Sequence, residues 1–335
     1  MNPSTEISRR DLPKEQREVS VVHITDPLAV GDSVEVLDQD VVSLSTKDFE
    51  IKRVTVPLEE CCLMYQWTNA RLRTRTQVHK DFEACTVLGP KAHGSLDGAE
   101  LQPYALMTAG PGAHGEIIVD SDYESISLLV PPQVLEQHLA LRGRTMGFAM
   151  PHGGEVLHPA VNRAREHFEL GVRIADAAEQ APEIFNDSRW ARYGAQVEFM
   201  DSLLATIESC SPDEHIDTDK KGRTYSQIVR TCEDFTLNLD DCRPYLSELC
   251  ATANVSKRTL QYAFHDIMGM SPLTYLHRLR LHRARDELRK AKSGSTTVTD
   301  VALNWGFWHF GEFSRAYKNC FGEVPSRTLR QNPSD

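Results

Sequence analysis

Two stretches decide how the C-terminal third of this chain is read: Ala253–Pro272, ANVSKRTLQYAFHDIMGMSP, and Trp305–Pro325, WGFWHFGEFSRAYKNCFGEVP. Each ends in Gly-x-x-Pro. Each carries its apolar residues at helical spacing, Leu260, Ala263, Phe264 and Ile267 in the first and Phe313, Ala316, Tyr317 and Cys320 in the second. The residues in front align as well. Leu246, Glu248, Leu249, Cys250, Asn254 and Val255 fall on Val298, Asp300, Val301, Ala302, Gly306 and Phe307. One inserted residue then brings Gly269 and Pro272 onto Gly322 and Pro325. Each copy therefore predicts a short apolar helix, a corner at a residue that tolerates positive φ (Asn254 or Gly306), and a second amphipathic helix. That is a helix-turn-helix unit.

The outward faces of the second helices carry the chemistry. In the first copy Lys257, Arg258, Gln261, Tyr262 and His265 point away from the apolar stripe. In the second Glu312, Ser314, Arg315, Lys318 and Asn319 do so. Arg suits guanine, Gln suits adenine, and Ser and Lys suit phosphates, so these sets fit a helix in a major groove. A single such helix reads as a solvated charged face; two at fixed spacing in a basic region outweigh that reading. Between them Ser271 can cap, and Pro272 can open, a spacer helix. Its inward side is expected at Leu273, Leu276, Leu279 or Arg280, Ala284 and Leu288. Arg278, Arg283, Arg285, Arg289 and Lys290 are expected to make much of the rest basic. A stiff spacer would hold two reading heads about 34 Å apart, one turn of DNA.

Charge distribution agrees. The net charge is −11, which taken whole argues against a polyanionic partner. From Pro244 to Asn332, however, 13 Lys and Arg stand against 7 Asp and Glu. An acidic body with a basic C-terminal third can turn one end toward a phosphate backbone. Hydrophobic content of 40% and charged content of 25% are ordinary for a globular protein. No apolar run approaches the roughly 20 residues of a membrane span. The first twenty residues have no signal-peptide core, so a cytoplasmic location is expected. The eight cysteines, with Cys61 and Cys62 adjacent and the rest scattered, form no C-x-x-C pair. They read as reduced structural thiols rather than a zinc site or disulfide framework. A redox sensor at Cys61 and Cys62 is the minority reading.

Residues 1–48 read as a flexible lead-in with the first strands. Residues 49–208 read as a β-rich sensor domain with a helical segment. Within them IKRVTVPL, LMYQWT, ACTVLG, YALMTAG, EIIVDSD and SISLLVP are short strand candidates between Gly- and Pro-rich turns. That spacing suggests an antiparallel barrel or sandwich. Helices follow behind Pro131 and His158. A third helix places Trp190, Tyr193, Val197, Met200, Leu204 and Ile207 at alternating intervals of three and four, the rhythm of a helix seam. The stripe fits either a homodimer contact or packing on its own domain. Residues 209–223 are the linker candidate, and 224–332 the DNA-binding domain.

The C-terminal hundred residues resemble the AraC/XylS family of transcriptional regulators. The resemblance rests on VSKRTLQYAF, GMSPLTYL, RLHRAR, VTDVALNWGF and FSRAYKNCFGEVPS. SKRTLQYAF with WGFWHFGEFSRAY is also similar to the branch of the ethanolamine-operon regulator. The resemblance implies base-facing roles for Arg258, Gln261 and Tyr262, and for Phe310, Gly311, Glu312, Ser314 and Arg315. Ser256, Thr259 and His309 complete the candidate DNA-contacting set. Phe310 and Gly311 depart from the hydrogen-bonding residues usual there; Phe310 fits either a thymine methyl or the core. The family also implies a cupin-like barrel in front, a small-molecule effector, and activation of transcription through RNA polymerase.

The fold expectation is thus α+β, a β-rich cupin-like barrel with a dimerising helical segment before an all-α domain of two helix-turn-helix units. The expected function is a sequence-specific DNA-binding regulator, more an activator than a repressor. It is expected to bind double-stranded DNA, with no cofactor, metal or membrane. The alternative is an N-terminal domain that only dimerises or contacts protein, and more remotely a cupin-type enzyme fused to the DNA-binding domain. His79, His93 and His114 lack the H-x-H spacing of a cupin metal site. No P-loop, Rossmann, G-x-S-x-G or H-E-x-x-H motif occurs, so no catalytic residue is expected.

Overall fold

The computed structural model describes residues 17–31, 34–45, 49–143, 154–210, 220–239, 243–292 and 294–330. Most of the expected linker and the first sixteen residues of the lead-in lie outside them. The chain divides into two compact units, residues 1–218 and 219–335.

The first unit holds strands β1 (Ser20–Ile24), β2 (Leu37–Ser43), β3 (Ile51–Pro57), β4 (Cys62–Thr68), β5 (Leu72–Val78) and β6 (Glu83–Leu88). They are followed by β7 (Gly94–Leu96), β8 (Ala99–Leu101), β9 (Leu106–Ala109), β10 (His114–Val119) and β11 (Tyr123–Val130). Helix α1 (Pro132–Leu141), β12 (Glu155–Leu157), α2 (Val161–Gln180), α3 (Pro182–Asp187) and α4 (Arg189–Glu208) complete the unit. The expected strand stretches are β3, β4, β6, β9, β10 and β11. The hairpin of β7 and β8 turns at Asp97 and Gly98, with φ of 47° and 84°, the pair of positive values a two-residue type I′ turn needs.

A closed barrel does not form among the described residues. The strands make a seven-stranded sheet, in the order β1-β3-β4-β11-β6-β9-β12, and a five-stranded sheet, β2-β5-β10-β7-β8. Closure needs a ladder continued from edge to edge. These sheets instead end on β8 and β12, each three residues long.

Period-two alternation explains the two faces of the larger sheet. Val54, Val56, Leu63, Val87, Ile126 and Leu128 point outward and meet Phe168, Phe199, Met200, Leu203 and Leu204 of α2 and α4. Each such side chain contributes about 1.5–3 kcal/mol on burial. Gly171 lets α2 approach, because a Cβ there would lie 2.5 Å from Cγ2 of Ile126. This packing divides the α4 stripe, which fits either a dimer seam or packing on its own domain. Met200 and Leu204 are buried in their own domain's core, and Ile207 packs against it. Of the stripe, Trp190 and Tyr193 are exposed and Val197 is half-buried.

The other face of the larger sheet looks toward the smaller one. Two apolar clusters fill that interior, one around Ile51, Leu72 and Met107, the other around Leu37, Met64 and Leu129. A cavity of about 110 Å³ is lined from both clusters and both sheets.

The second unit is all helix: α5 (Lys220–Leu237), α6 (Leu246–Thr252), α7 (Lys257–Met268), α8 (Pro272–Lys290), α9 (Val298–Asn304), α10 (Phe310–Phe321) and α11 (Pro325–Arg330). Helix α8 is the spine. Its Tyr275 meets Phe264 of the first copy, with ring centroids 5.9 Å apart. Its Leu281, Ala284 and Leu288 pack with Val301, Phe313 and Tyr317 of the second. Being packed by both copies, α8 is buried over more of its circumference than its sequence suggests. Arg285, expected outside, is buried. Leu273, expected inside, is exposed, because the buried face of the first turns runs through Pro272, Tyr275 and Leu276 instead.

Candidate nucleic-acid interface

In the first copy α6 and α7 meet at a corner where Asn254 has φ 51°. Ser256 caps α7, accepting from the Thr259 N–H at 3.1 Å, so the helix starts at a defined residue. It ends at Gly269, whose φ of 71° closes a left-handed cap on the carbonyl of His265. Leu260, Ala263, Phe264 and Ile267 are buried, which leaves Lys257, Arg258, Gln261, Tyr262 and His265 exposed. Arg258 and Tyr262 act as one group. The guanidinium lies 5.4 Å from the ring centroid and Nη2 donates to the phenol oxygen at 3.1 Å. An Arg held over a ring is oriented before it meets a base edge, so less side-chain entropy is lost on contact.

The second copy has the same frame with different filling. Gly306 makes the corner, with φ 71°. Thr297 and Asp300 form a reciprocal cap on α9, whereas α10 begins at His309 without a side-chain cap. The core beneath is aromatic. The rings of Phe307 and Phe313 are 4.8 Å apart and those of Tyr317 and Phe321 are 4.7 Å apart. Two cations of α8 lie on this cluster, Arg280 at 5.0 Å from Phe307 and Arg285 at 4.6 Å from Phe321. Arg285 also pairs with Glu323 at 3.2 Å. The side chains left outside are His309, Phe310, Glu312, Arg315 and Lys318, with Gly311 between them and Ser314 half-buried.

Phe310 is 41% exposed, so it is not part of the core. Its neighbour Trp308, 55% exposed, was not singled out from the sequence. Only its place between the buried Phe307 and the start of α10 marks it. The exposed start of the second reading helix is thus aromatic, where the first is cationic.

Other candidates come apart. His79 and His93 are exposed, and among the described residues no three His, Cys, Asp or Glu side chains gather as a metal group. Cys61 and Cys62 are buried, and burial drives both thiols up, Cys62 to about 12. This opposes thiolate chemistry at neutral pH. No helix among the described residues is long and apolar enough to cross a membrane.

Residues 249–331 match the family described as "Helix-turn-helix domain". The "Probable thc operon regulatory protein" of Rhodococcus erythropolis is 38% identical over 88 residues, 26% of either chain. The "XylDLEGF operon transcriptional activator 3" of Pseudomonas putida is 31% identical over 137 residues, 40% of either chain. The matched stretch therefore spans a quarter to two fifths of these relatives' own length. Among solved structures, "a probable AraC family transcriptional regulator" from Rhodopseudomonas palustris is 35% identical; it covers 32% of this chain and 99% of its own, with a TM-score of 0.29. The C-terminal domain is a helix-turn-helix domain of the kind found in AraC/XylS regulators.

Proposed function

We propose that this protein is a transcriptional regulator, an activator, that reads DNA with both α7 and α10 and responds to a small molecule through its N-terminal domain. The observation that carries the proposal is the duplicated unit, with two exposed helices, each on its own supporting helix, joined by one buried spine. Direct readout is assigned to Arg258, Gln261 and Tyr262 on α7. On α10, Arg315 takes a base or phosphate, while Phe310 and, just ahead of the helix, Trp308 supply apolar contacts to thymine methyls. Ser256, Lys257, Thr259, His265, His309, Ser314 and Lys318 are assigned to the flanking backbone. Glu312 suits a cytosine amino group. The likeness of Ser256–Phe264 to the ethanolamine-operon branch supports kinship of the DNA-binding domain and carries no ligand over.

Activation, with its implied contact to RNA polymerase, is supported by the activator among the relatives. The cavity between the sheets supports the sensor assignment, because a well-packed sandwich core has few voids of that size. A homodimer is the second reading for the N-terminal unit. It is supported by Trp190, 81% exposed at the start of α4, with Tyr193 one turn on.

Selection of bound duplexes from a random pool by the full chain tests the proposal. Enrichment of a two-part site, lost steeply as salt rises from low to moderate, is the expected result. Binding without sequence preference would overturn it.

A further inference from the structure

We infer that the cavity between the two sheets takes a small, uncharged ligand, held by a carbonyl oxygen on the side-chain amides of Gln39 and Gln66. The inference deepens the sensor reading above and rests on it.

The cavity separates the two apolar clusters of the sandwich interior, and its middle is polar. Gln39 of β2 and Thr74 and Thr76 of β5 line it from the smaller sheet. Gln66 of β4, Thr86 of β6 and Ser127 of β11 line it from the larger. Alternation puts these residues on the inward faces of their strands, where a sandwich normally carries Val, Leu and Ile. Some of the hydroxyls satisfy each other, Thr86 and Ser127 at 2.8 Å. The glutamines do not pair in that way.

Arg53 sets their orientation. It lies on β3 directly across from Gln66 in the ladder and is fully buried. Its Nη2 donates to Oε1 of Gln66 at 2.6 Å and to Oε1 of Gln39 at 3.0 Å. Its Nε donates to Gln66 Oε1 at 3.2 Å, and Nη1 to the Val30 carbonyl at 3.1 Å. A guanidinium has only donors, so the face of each amide toward Arg53 must be its oxygen. The NH₂ groups are turned away from Arg53, and that of Gln39 makes only a long contact, 3.4 Å, to Thr76 Oγ1. Burial lowers Arg53 to about 10, still well above neutrality, so a cation polarises both amides and strengthens their N–H donors.

This arrangement selects ligand charge. Among the described residues lining the cavity there is no Asp, Glu, Lys or Arg. A carboxylate would be desolvated there with no fixed cation in the lining, which offers amides, hydroxyls and the exposed His114 at its edge, because Arg53's Nε, Nη1 and Nη2 are already engaged. An ammonium would face donors. A pure hydrocarbon would offer these amides no acceptor, leaving Gln39 with its long contact to Thr76. A neutral carbonyl compound meets the donors with its oxygen and the flanking Met64, Leu129, Ile51 and Leu72 with the rest. The volume, about 110 Å³, is of the order of the ~150 Å³ cavity known to take benzene. The smaller volume sets the upper size at a single ring with a short substituent.

Thermal unfolding of the full chain with five probes tests this: benzamide, acetophenone, benzoate, benzylamine and toluene. Benzamide and acetophenone are expected to raise Tm. Gln66→Glu keeps an acceptor for Arg53 but loses the amide donor, and Gln39→Leu loses it differently. Each is expected to weaken binding of the two carbonyl probes about tenfold or more. A larger shift with benzoate or benzylamine, an equal one with toluene, or binding untouched in both variants overturns the ligand class. No shift with any probe overturns it as well, leaving a water-filled cavity. DNA selection on the same samples reports separately on the regulator reading: a retained two-part site keeps that reading when the ligand class fails, and its loss alongside intact carbonyl binding does the reverse.

Discussion

The two helix-turn-helix copies share a frame and differ in what fills it. Both turn at a positive-φ corner, Asn254 in one and Gly306 in the other, and both recognition helices end at a left-handed glycine. The first copy shows a cationic and amide face, with Arg258 laid on Tyr262. The second draws Arg280 and Arg285 of α8 onto its aromatic core, and shows Trp308 and Phe310 ahead of the exposed Arg315 and Lys318. The two copies thus share one frame while their outer faces differ, cationic and amide in the first and aromatic at the start of the helix in the second.

The largest effect tests whether the second head depends on its aromatic core. Phe313→Ala removes a ring buried between Phe307 and Tyr317 and is expected to cost about 3–5 kcal/mol in chemical unfolding. A cost below 1 kcal/mol would show that the cluster does not hold α10. Next comes the polar head. Arg258→Ala is expected to weaken specific binding by about 1–3 kcal/mol and to relax preference at one base position in the selected site. The corners give a sharper contrast. Gly306→Ala is expected to destabilise by about 1–2 kcal/mol, since Ala strains at φ 71°. Asn254→Gly, at φ 51°, is expected to change stability by only a few tenths. Equal costs would mean the corners are not equivalent. The smallest effect concerns the apolar head. Replacing thymine by uracil removes one methyl and is expected to cost about 0.8 kcal/mol per contact in the half-site under α10. It should cost nothing further in Trp308→Ala, Phe310→Ala protein. A uracil penalty confined to the other half-site would exchange the two roles.

The helical domain was largely legible, and for a physical reason. Helix spacing, caps and the Gly-x-x-Pro ends are local signals, and repetition doubled them. The errors there came from tertiary packing. Arg285 looked solvent-facing on a basic helix, yet Phe321 and Glu323 draw it inside. The sandwich was legible only where its strands are apolar. Strand β5, LRTRTQV, was missed because Arg73 and Arg75 alternate with threonines. Arg73 is nevertheless buried, paired with Glu116 at 3.0 Å and Asp40 at 3.1 Å. The cavity was illegible because no short motif carries it. Gln39, Arg53 and Gln66 come together only through strand pairing and the facing of two sheets. The α4 stripe was ambiguous by nature, since one period serves both a seam and a core, and Met200 and Leu204 went to the core.

Hydroxyl-radical footprinting of the full chain on its selected DNA measures most directly whether one chain reads two grooves. The expected result is two protected patches on one face of the duplex, about 10–10.5 base pairs apart centre to centre, with Arg258→Ala weakening one and Phe310→Ala the other. A single protected patch per bound chain, or two that fade together with either substitution, would contradict it.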